Sequence, residues 1–204
     1  MDLDSKYPAI SDLRSKARKR IPHFAWEYLD SATGDESTLH RNRSALDAIH
    51  FVPRGLRGEI KPQLATEFLG KSYSAPFGIA PVGMSGLMWP GAEKTLAGFA
   101  AGAKIPYGMS TVATTTPEDV APHLGDMGWF QMYPPRDEAI RNDMIQRVKN
   151  AGFTTLVVTI DVPAQSRRER QIRGGLVQPP RLTPRILAQV AGCPEWALRT
   201  ALNG

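Results

Sequence analysis

Trp129-Phe130-Gln131-Met132-Tyr133, the helical stretch from Asp137 to Ala151, and then Thr155-Leu156-Val157-Val158-Thr159-Ile160-Asp161-Val162 decide the fold class. Two short apolar runs flank a segment in which Ile140, Met144, Ile145 and Val148 recur at helical spacing. That is the alternation of a parallel sheet with crossover helices. The same pattern appears twice more on the N-terminal side. Phe77 to Pro81 reads as a strand followed by a helix near Glu93 to Ala103. Pro106 to Ser110 reads as the next strand, and its helix opens at Thr116-Pro117-Glu118-Asp119. There Thr can cap, Pro suits the first turn, and the acids complement the positive end of the helix dipole. Four β/α units are therefore expected within residues 77–163.

Residues 1–76 read differently, as helices and irregular chain. Ser11 to Arg20 is a polar helix stopped by Pro22, and His23 to Ala32 is a second with Gly34 as its left-handed stop. Ser37 is expected to cap a third, on which Leu39, Leu46 and Ile49 recur. From Phe51 to Ala75 proline and glycine accumulate, which predicts a connecting stretch with one short hairpin. Residues 164–204 read as the start of a long loop after the fourth strand.

The composition, 204 residues with 42% hydrophobic and 22% charged, supports a real core and argues against disorder or a disulfide scaffold. Cys193 is the one cysteine, so no internal disulfide can form, and a cytoplasmic location is expected. The charged N-terminus carries no apolar run of signal-peptide length. The net charge of +5 comes largely from seven arginines set against Asp161, Glu169 and Glu195 in the last 44 residues. Aromatic residues are not interleaved with these arginines, so nucleic-acid binding is not expected. No metal site is expected either.

Each strand ends in polar residues: Ser110 and Thr111, Gln131 and Tyr133, Thr159 and Asp161. Polar groups gathered at the carboxyl ends of successive parallel strands are where barrel and doubly wound enzymes place their chemistry. These residues belong to a set of separated motifs: Trp26-Glu27-Tyr28-Leu29-Asp30-Ser31-Ala32, Leu39 with Asn42-Arg43, Ile79-Ala80-Pro81-Val82-Gly83-Met84, Met109-Ser110-Thr111, Phe130-Gln131-Met132-Tyr133, Thr159-Ile160-Asp161-Val162-Pro163 and Arg167-Arg168-Glu169. In this order the set resembles the FMN-dependent 2-hydroxy-acid dehydrogenases and oxidases, particularly their mandelate and lactate dehydrogenase branch.

The resemblance implies a TIM (β/α)₈ barrel, FMN as cofactor, and hydride transfer from an L-2-hydroxy acid to the flavin. It places flavin contacts on the backbone of Pro81, Val82 and Gly83, the Ser110 hydroxyl, the Gln131 amide and the Thr159 hydroxyl. Neutral hydrogen-bonding groups suit the edge of an isoalloxazine ring. It places substrate contacts on Tyr28, Tyr133 and Arg168, since a guanidinium can bind a carboxylate bidentately while phenols donate to it. Asp161 resembles the carboxylate that orients the catalytic histidine. That histidine, part of a Ser-Asn-His-Gly motif in the family, has no counterpart among His23, His40, His50 and His123.

A complete barrel takes ~250 residues, whereas about 128 follow residue 76 here. The expectation is the front half of such an enzyme, with open sheet edges that favour a homo-oligomer. Gly83 and Val112 are small where many family members are larger, which points to a lactate-to-mandelate range. A different reading is a non-catalytic remnant that folds only in an oligomer. A third concerns Arg181 to Leu202, where Ile186, Leu187, Val190 and Ala191 alternate with basic residues. This stretch reads either as a peripheral contact with the cytoplasmic face of an anionic membrane or as a lid helix packed on the barrel.

Overall fold

The computed structural model describes residues 2–161, 166–176 and 181–203. In chain order its elements are α1 (Leu3–Lys6), α2 (Ile10–Arg20), α3 (His23–Asp30), α4 (Ser37–Asp47), β1 (Thr66–Phe68), β2 (Lys71–Tyr73), α5 (Ser85–Met88), α6 (Ala92–Ala103), β3 (Tyr107–Ser110), α7 (Pro117–Leu124), β4 (Gly128–Met132), α8 (Glu138–Asn150), β5 (Thr155–Val158), α9 (Glu169–Gly174), α10 (Pro184–Ala191) and α11 (Pro194–Asn203). The chain divides into two compact units. One comprises Met1–Arg54, Met88–Pro90 and Gln165–Gly204, the other Gly55–Leu87 and Gly91–Ala164.

The first unit is helical and built around α3, whose Phe24, Ala25, Trp26 and Glu27 are buried. The Phe24 and Trp196 rings meet edge to face at 5.9 Å, an arrangement that the ring quadrupoles favour. Gln189 of α10 accepts from the Phe24 N–H at 2.8 Å and donates to the Gly174 carbonyl at 3.2 Å, joining α3, α9 and α10. Gly34 has φ +60, as a left-handed stop requires. The expected Ser37 cap is displaced by one residue. Glu36 takes the cap position at φ 64, and Ser37 opens α4 with its N–H donating to Asp35 Oδ1 at 3.0 Å. Leu39 and Leu46 on α4 and Ile49 just past its end are all exposed, so the expected apolar stripe is not buried within the described chain.

The second unit carries the sheets. β1 and β2 form an antiparallel hairpin closed by Leu69 and Gly70, both at positive φ, as a two-residue turn matched to strand twist demands. β3, β4 and β5 form an open parallel sheet in sequence order. The strand expected at Phe77 to Pro81 contributes only a parallel bridge between Ile79 and Tyr107. Pro76 and Pro81 bracket it and remove two donors that a longer ladder would use. The fourth expected strand ends at Val158 rather than Val162, and Val162 lies outside the described residues.

Helices α6, α7 and α8 cover one face of this sheet. The core there contains Ala97, Ala100, Tyr107, Met109, Val120, Leu124, Phe130, Met132, Val148 and Phe153, with Phe130 and Phe153 edge to face at 5.8 Å. α7 starts as the sequence predicts: the Thr116 hydroxyl accepts from the Asp119 N–H at 3.2 Å and Pro117 occupies the first turn. α8 is capped by Asp137, which accepts from the Ala139 and Ile140 N–H groups. Of its four expected core residues, Val148 is buried and Met144 packs beside it, while Ile140 and Ile145 are exposed. Among the described residues no helix is long and apolar enough to cross a membrane.

Candidate active site

Alternation along the strands sends Met109, Phe130 and Met132 into the helix-covered core and leaves Ser110, Gln131 and Thr159 to the opposite face. Ser110 and Gln131 are register partners, buried to 4% and 5% exposure. The Ser110 hydroxyl accepts from the Val112 N–H at 3.3 Å and donates to Gln131 Oε1 at 3.0 Å. Gln131 Nε2 in turn donates to Thr159 Oγ1 at 2.8 Å. Every bond in this chain points the same way, so the Thr159 hydroxyl accepts and keeps its own proton to donate. Three strands thus present one neutral, directional row of hydrogen-bonding groups at their carboxyl ends.

On the same face lies a cavity of about 450 Å³, lined mostly by apolar residues including Ile79, Pro81, Trp129 and Val157, with Thr66 and Tyr73 of the hairpin and Gln131 of the row as polar side chains in its wall. Pro81 is seated there because β3 carries Gly108. A Cβ on Gly108 would sit 2.9 Å from Pro81 Cδ and 3.0 Å from Pro81 N. Val82 is exposed and Gly83 half-buried in the turn that follows, and the Met84 N–H donates to the Val112 carbonyl at 2.8 Å. A flat heteroaromatic ring edged with carbonyls and nitrogens fits an apolar wall beside such a row. The residues present therefore suit the ring portion of a flavin.

Beyond β4, the Thr111 hydroxyl donates to the Gln131 carbonyl at 2.6 Å and accepts from the Tyr133 N–H at 3.1 Å, fixing the Tyr133 backbone while its side chain stays exposed. Asp161 is exposed, two residues after Thr159. Tyr28 and Arg168 belong to the first unit. Tyr28 is half-buried on α3, and Arg168 is the exposed N-cap of α9, its Nε 3.5 Å from Ser166 Oγ. The motif residues Val162 and Pro163 lie outside the described residues.

Two groups escaped the sequence reading. Glu93, 1% exposed, accepts through Oε1 from the Gly86 N–H at 2.9 Å, the Thr114 N–H at 3.1 Å and the Thr114 hydroxyl at 2.9 Å. Burial alone would raise its carboxyl, but the hydrogen bonds led by the Thr114 N–H hold it below the ordinary glutamate value. It ties the turn after Gly83 to the loop after β3. The other is Arg170, which meets Glu27, Asp30 and Glu36 together.

The family model described as FMN-dependent dehydrogenase matches residues 17–203. The chain belongs to this family. Within the FMN-dependent dehydrogenases it is 35% identical over 196 residues to an L-lactate dehydrogenase of Pseudomonas syringae, covering 96% of this chain and 51% of the relative. It is 37% identical over 196 residues to one from Xanthomonas campestris, covering 96% and 50%. Among solved structures, the monotopic membrane protein (S)-mandelate dehydrogenase superposes with a TM-score of 0.88 at 32% identity, covering 96% of this chain and 52% of that one. A mandelate oxidase superposes with a TM-score of 0.78 at 32% identity, covering 88% and 51%. The chain spans about half the length of the curated relatives it matches. Its open parallel sheet is the corresponding part of the TIM-barrel fold of the FMN-dependent dehydrogenases, with no closed barrel among the described residues.

Proposed function

We propose that this chain supplies the front part of an FMN-dependent enzyme oxidising an L-2-hydroxy acid, in the lactate to mandelate range, to the 2-oxo acid. The observation that carries the reading is the Ser110, Gln131, Thr159 row, whose Gln131 lines a mostly apolar cavity. On this reading the three side chains and the backbone of Pro81, Val82 and Gly83 hold the ring edge of FMN. When bound, FMN supplies hydride acceptance. Arg168 binds the substrate carboxylate, with Tyr28 and Tyr133 donating to the carboxylate or hydroxyl. Asp161 orients an imidazole base that is none of the four histidines of this chain. Gly83 and Val112 leave room for a bulky 2-substituent.

The division of labour follows the sequence segments. Residues 1–76 bring Tyr28, residues 77–163 bring the flavin edge, and residues 164–204 bring Arg168. Arg181 to Leu202 contacts the cytoplasmic face of an anionic bilayer, a reading supported by exposed Leu182, Leu187, Leu198 and Leu202 and by the monotopic relative. The exposed Leu156, Val158 and Ile160 on and beside β5 favour the second reading, a non-catalytic chain held in a homo-oligomer.

Dye reduction by the 204-residue chain with FMN and either L-lactate or mandelate tests for activity in the chain alone, and FMN binding separates these readings. A missing general base costs ~10² to 10⁴ in rate, so the chain alone should show no substrate-dependent turnover. Flavin fluorescence quenching should report weak FMN binding that depends on Gln131. Binding indifferent to Gln131 would remove the site assignment.

A further inference from the structure

The guanidinium of Arg170 meets three carboxylates with nearly its whole donor set. Nε donates to Glu27 Oε2 at 2.6 Å, and Nη2 donates to Glu27 Oε1 at 3.2 Å and Asp30 Oδ2 at 3.1 Å. Nη1 donates to Glu36 Oε1 at 2.9 Å and to the Asp30 carbonyl at 3.4 Å. Asp30 is also gripped by Arg14, at 2.8 and 3.0 Å. The carboxylate side chains of Glu27, Asp30 and Glu36 are 9%, 13% and 17% exposed, so their charges are far from fully solvated. Breaking a partly desolvated network by removing one partner is costly, because the remaining charges lose their compensation.

The placement of this hub in the chain gives it a use. Glu27 precedes Tyr28 and Asp30 follows it by two residues, so Arg170 grips α3 at residues on either side of Tyr28 in the chain. Arg170 itself follows Arg168 by two residues, in the first turn of α9. The Ile172 N–H donates to the Arg168 carbonyl at 3.1 Å, and Gln171 Nε2 donates to the Tyr28 carbonyl at 3.4 Å. At the far end of α9, a Cβ on Gly174 would lie 3.2 Å from Glu27 Cβ and 3.5 Å from Phe24 Cα. α9 is therefore held against α3 at both ends.

We propose that Arg170 is a positioning residue: its grip on Glu27, Asp30 and Glu36 sets the backbones of Tyr28 and Arg168 in the register with which they take the carboxylate of a 2-hydroxy acid. This rests on the substrate roles proposed above for Tyr28 and Arg168. A lysine would keep the charge but has no planar fork to span three carboxylates.

The test uses the full 204-residue chain as wild type, Arg170→Ala, Arg170→Lys and Glu36→Gln. Amide hydrogen exchange at Ile172 reads the bond to Arg168, and the Arg168 Nε–H resonance during a mandelate titration reads the clamp. In Arg170→Ala, Ile172 should exchange about tenfold faster and mandelate should bind about tenfold more weakly, as loss of a local tie allows. Lys should restore little of either, and Glu36→Gln should fall between, serving as the comparison should Arg170→Ala not fold. Unchanged Ile172 exchange, or full recovery of mandelate affinity by Lys, would overturn the proposal. A wild type whose Arg168 ignores mandelate, while Arg170→Ala still frees Ile172, would overturn the substrate roles and uphold the tie.

Discussion

Gly108 lies so close to Pro81 that a Cβ on it would sit 2.9 Å from the proline Cδ. The neighbour is a ring and its backbone nitrogen, which cannot swing aside as a flexible chain end would. Gly108→Ala should therefore push residues 79–83 off β3 and destabilise the chain by about 1 to 3 kcal/mol, the usual range for overpacking. Urea denaturation measures the loss. An unchanged midpoint would mean that the Pro81 segment is not held against β3.

Gln131→Leu removes the middle member of the row between Ser110 and Thr159. The Ser110 hydroxyl is buried and loses its acceptor, which costs about 1 to 3 kcal/mol, and FMN affinity should fall with it. Thr159→Val takes the acceptor from Gln131 Nε2, but at a half-buried position where water can replace it, so its stability cost should lie at the low end of the same range, about 1 kcal/mol. Paired denaturation and flavin quenching on the two variants check the order. A larger stability loss in Thr159→Val would contradict the row.

Glu93→Ala should lower stability by about 3 kcal/mol, because two backbone N–H groups and the Thr114 hydroxyl lose a charged acceptor. Glu93→Gln keeps an oxygen for the same donors, so the loss should be about half as large. Urea titration compares them, with equal losses from the two variants arguing that charge rather than hydrogen bonding holds the loops.

The bond from Arg147 holds the Glu118 carboxyl at about 2, below its ordinary value. A lowered carboxyl contributes stability that is complete above the unfolded value and lost as pH falls. The window here runs from about 4.5 down to about 2. Both side chains are about half exposed, so solvent screening keeps the contribution to about 0.2 to 1 kcal/mol. Melting Arg147→Met beside wild type should show a small deficit at pH 6 that vanishes near pH 2. A deficit independent of pH would assign the effect to packing between α7 and α8.

The sheet and the polar strand ends were legible because both leave local traces: apolar runs of strand length, then Ser110, Gln131 and Thr159 at their ends. Ile79 misled because the apolar run around it is real, while the prolines at 76 and 81 limit its ladder. Ile140 misled because helical spacing reveals a stripe but not how much of it the sheet covers. Glu93 was hidden behind an ordinary role, an acid in the first turn of a helix, and its burial follows from the approach of Gly86 and Thr114. Arg170 left no local trace, since its partners lie 134 to 143 residues away in the chain.

The register of the parallel sheet also bears on how the chain acquires its shape. Tyr107 pairs with Gly128, and Trp129 pairs with Thr155, so each strand meets the one just made before it after about 20 to 26 residues. Closing such short loops costs little conformational entropy compared with distant pairing. A chain emerging from the ribosome can therefore add β4 to β3 and β5 to β4 in the order of synthesis. Growth runs in one direction: each newest strand is the receptive edge for the next, while on its other side β3 carries the single Ile79 bridge.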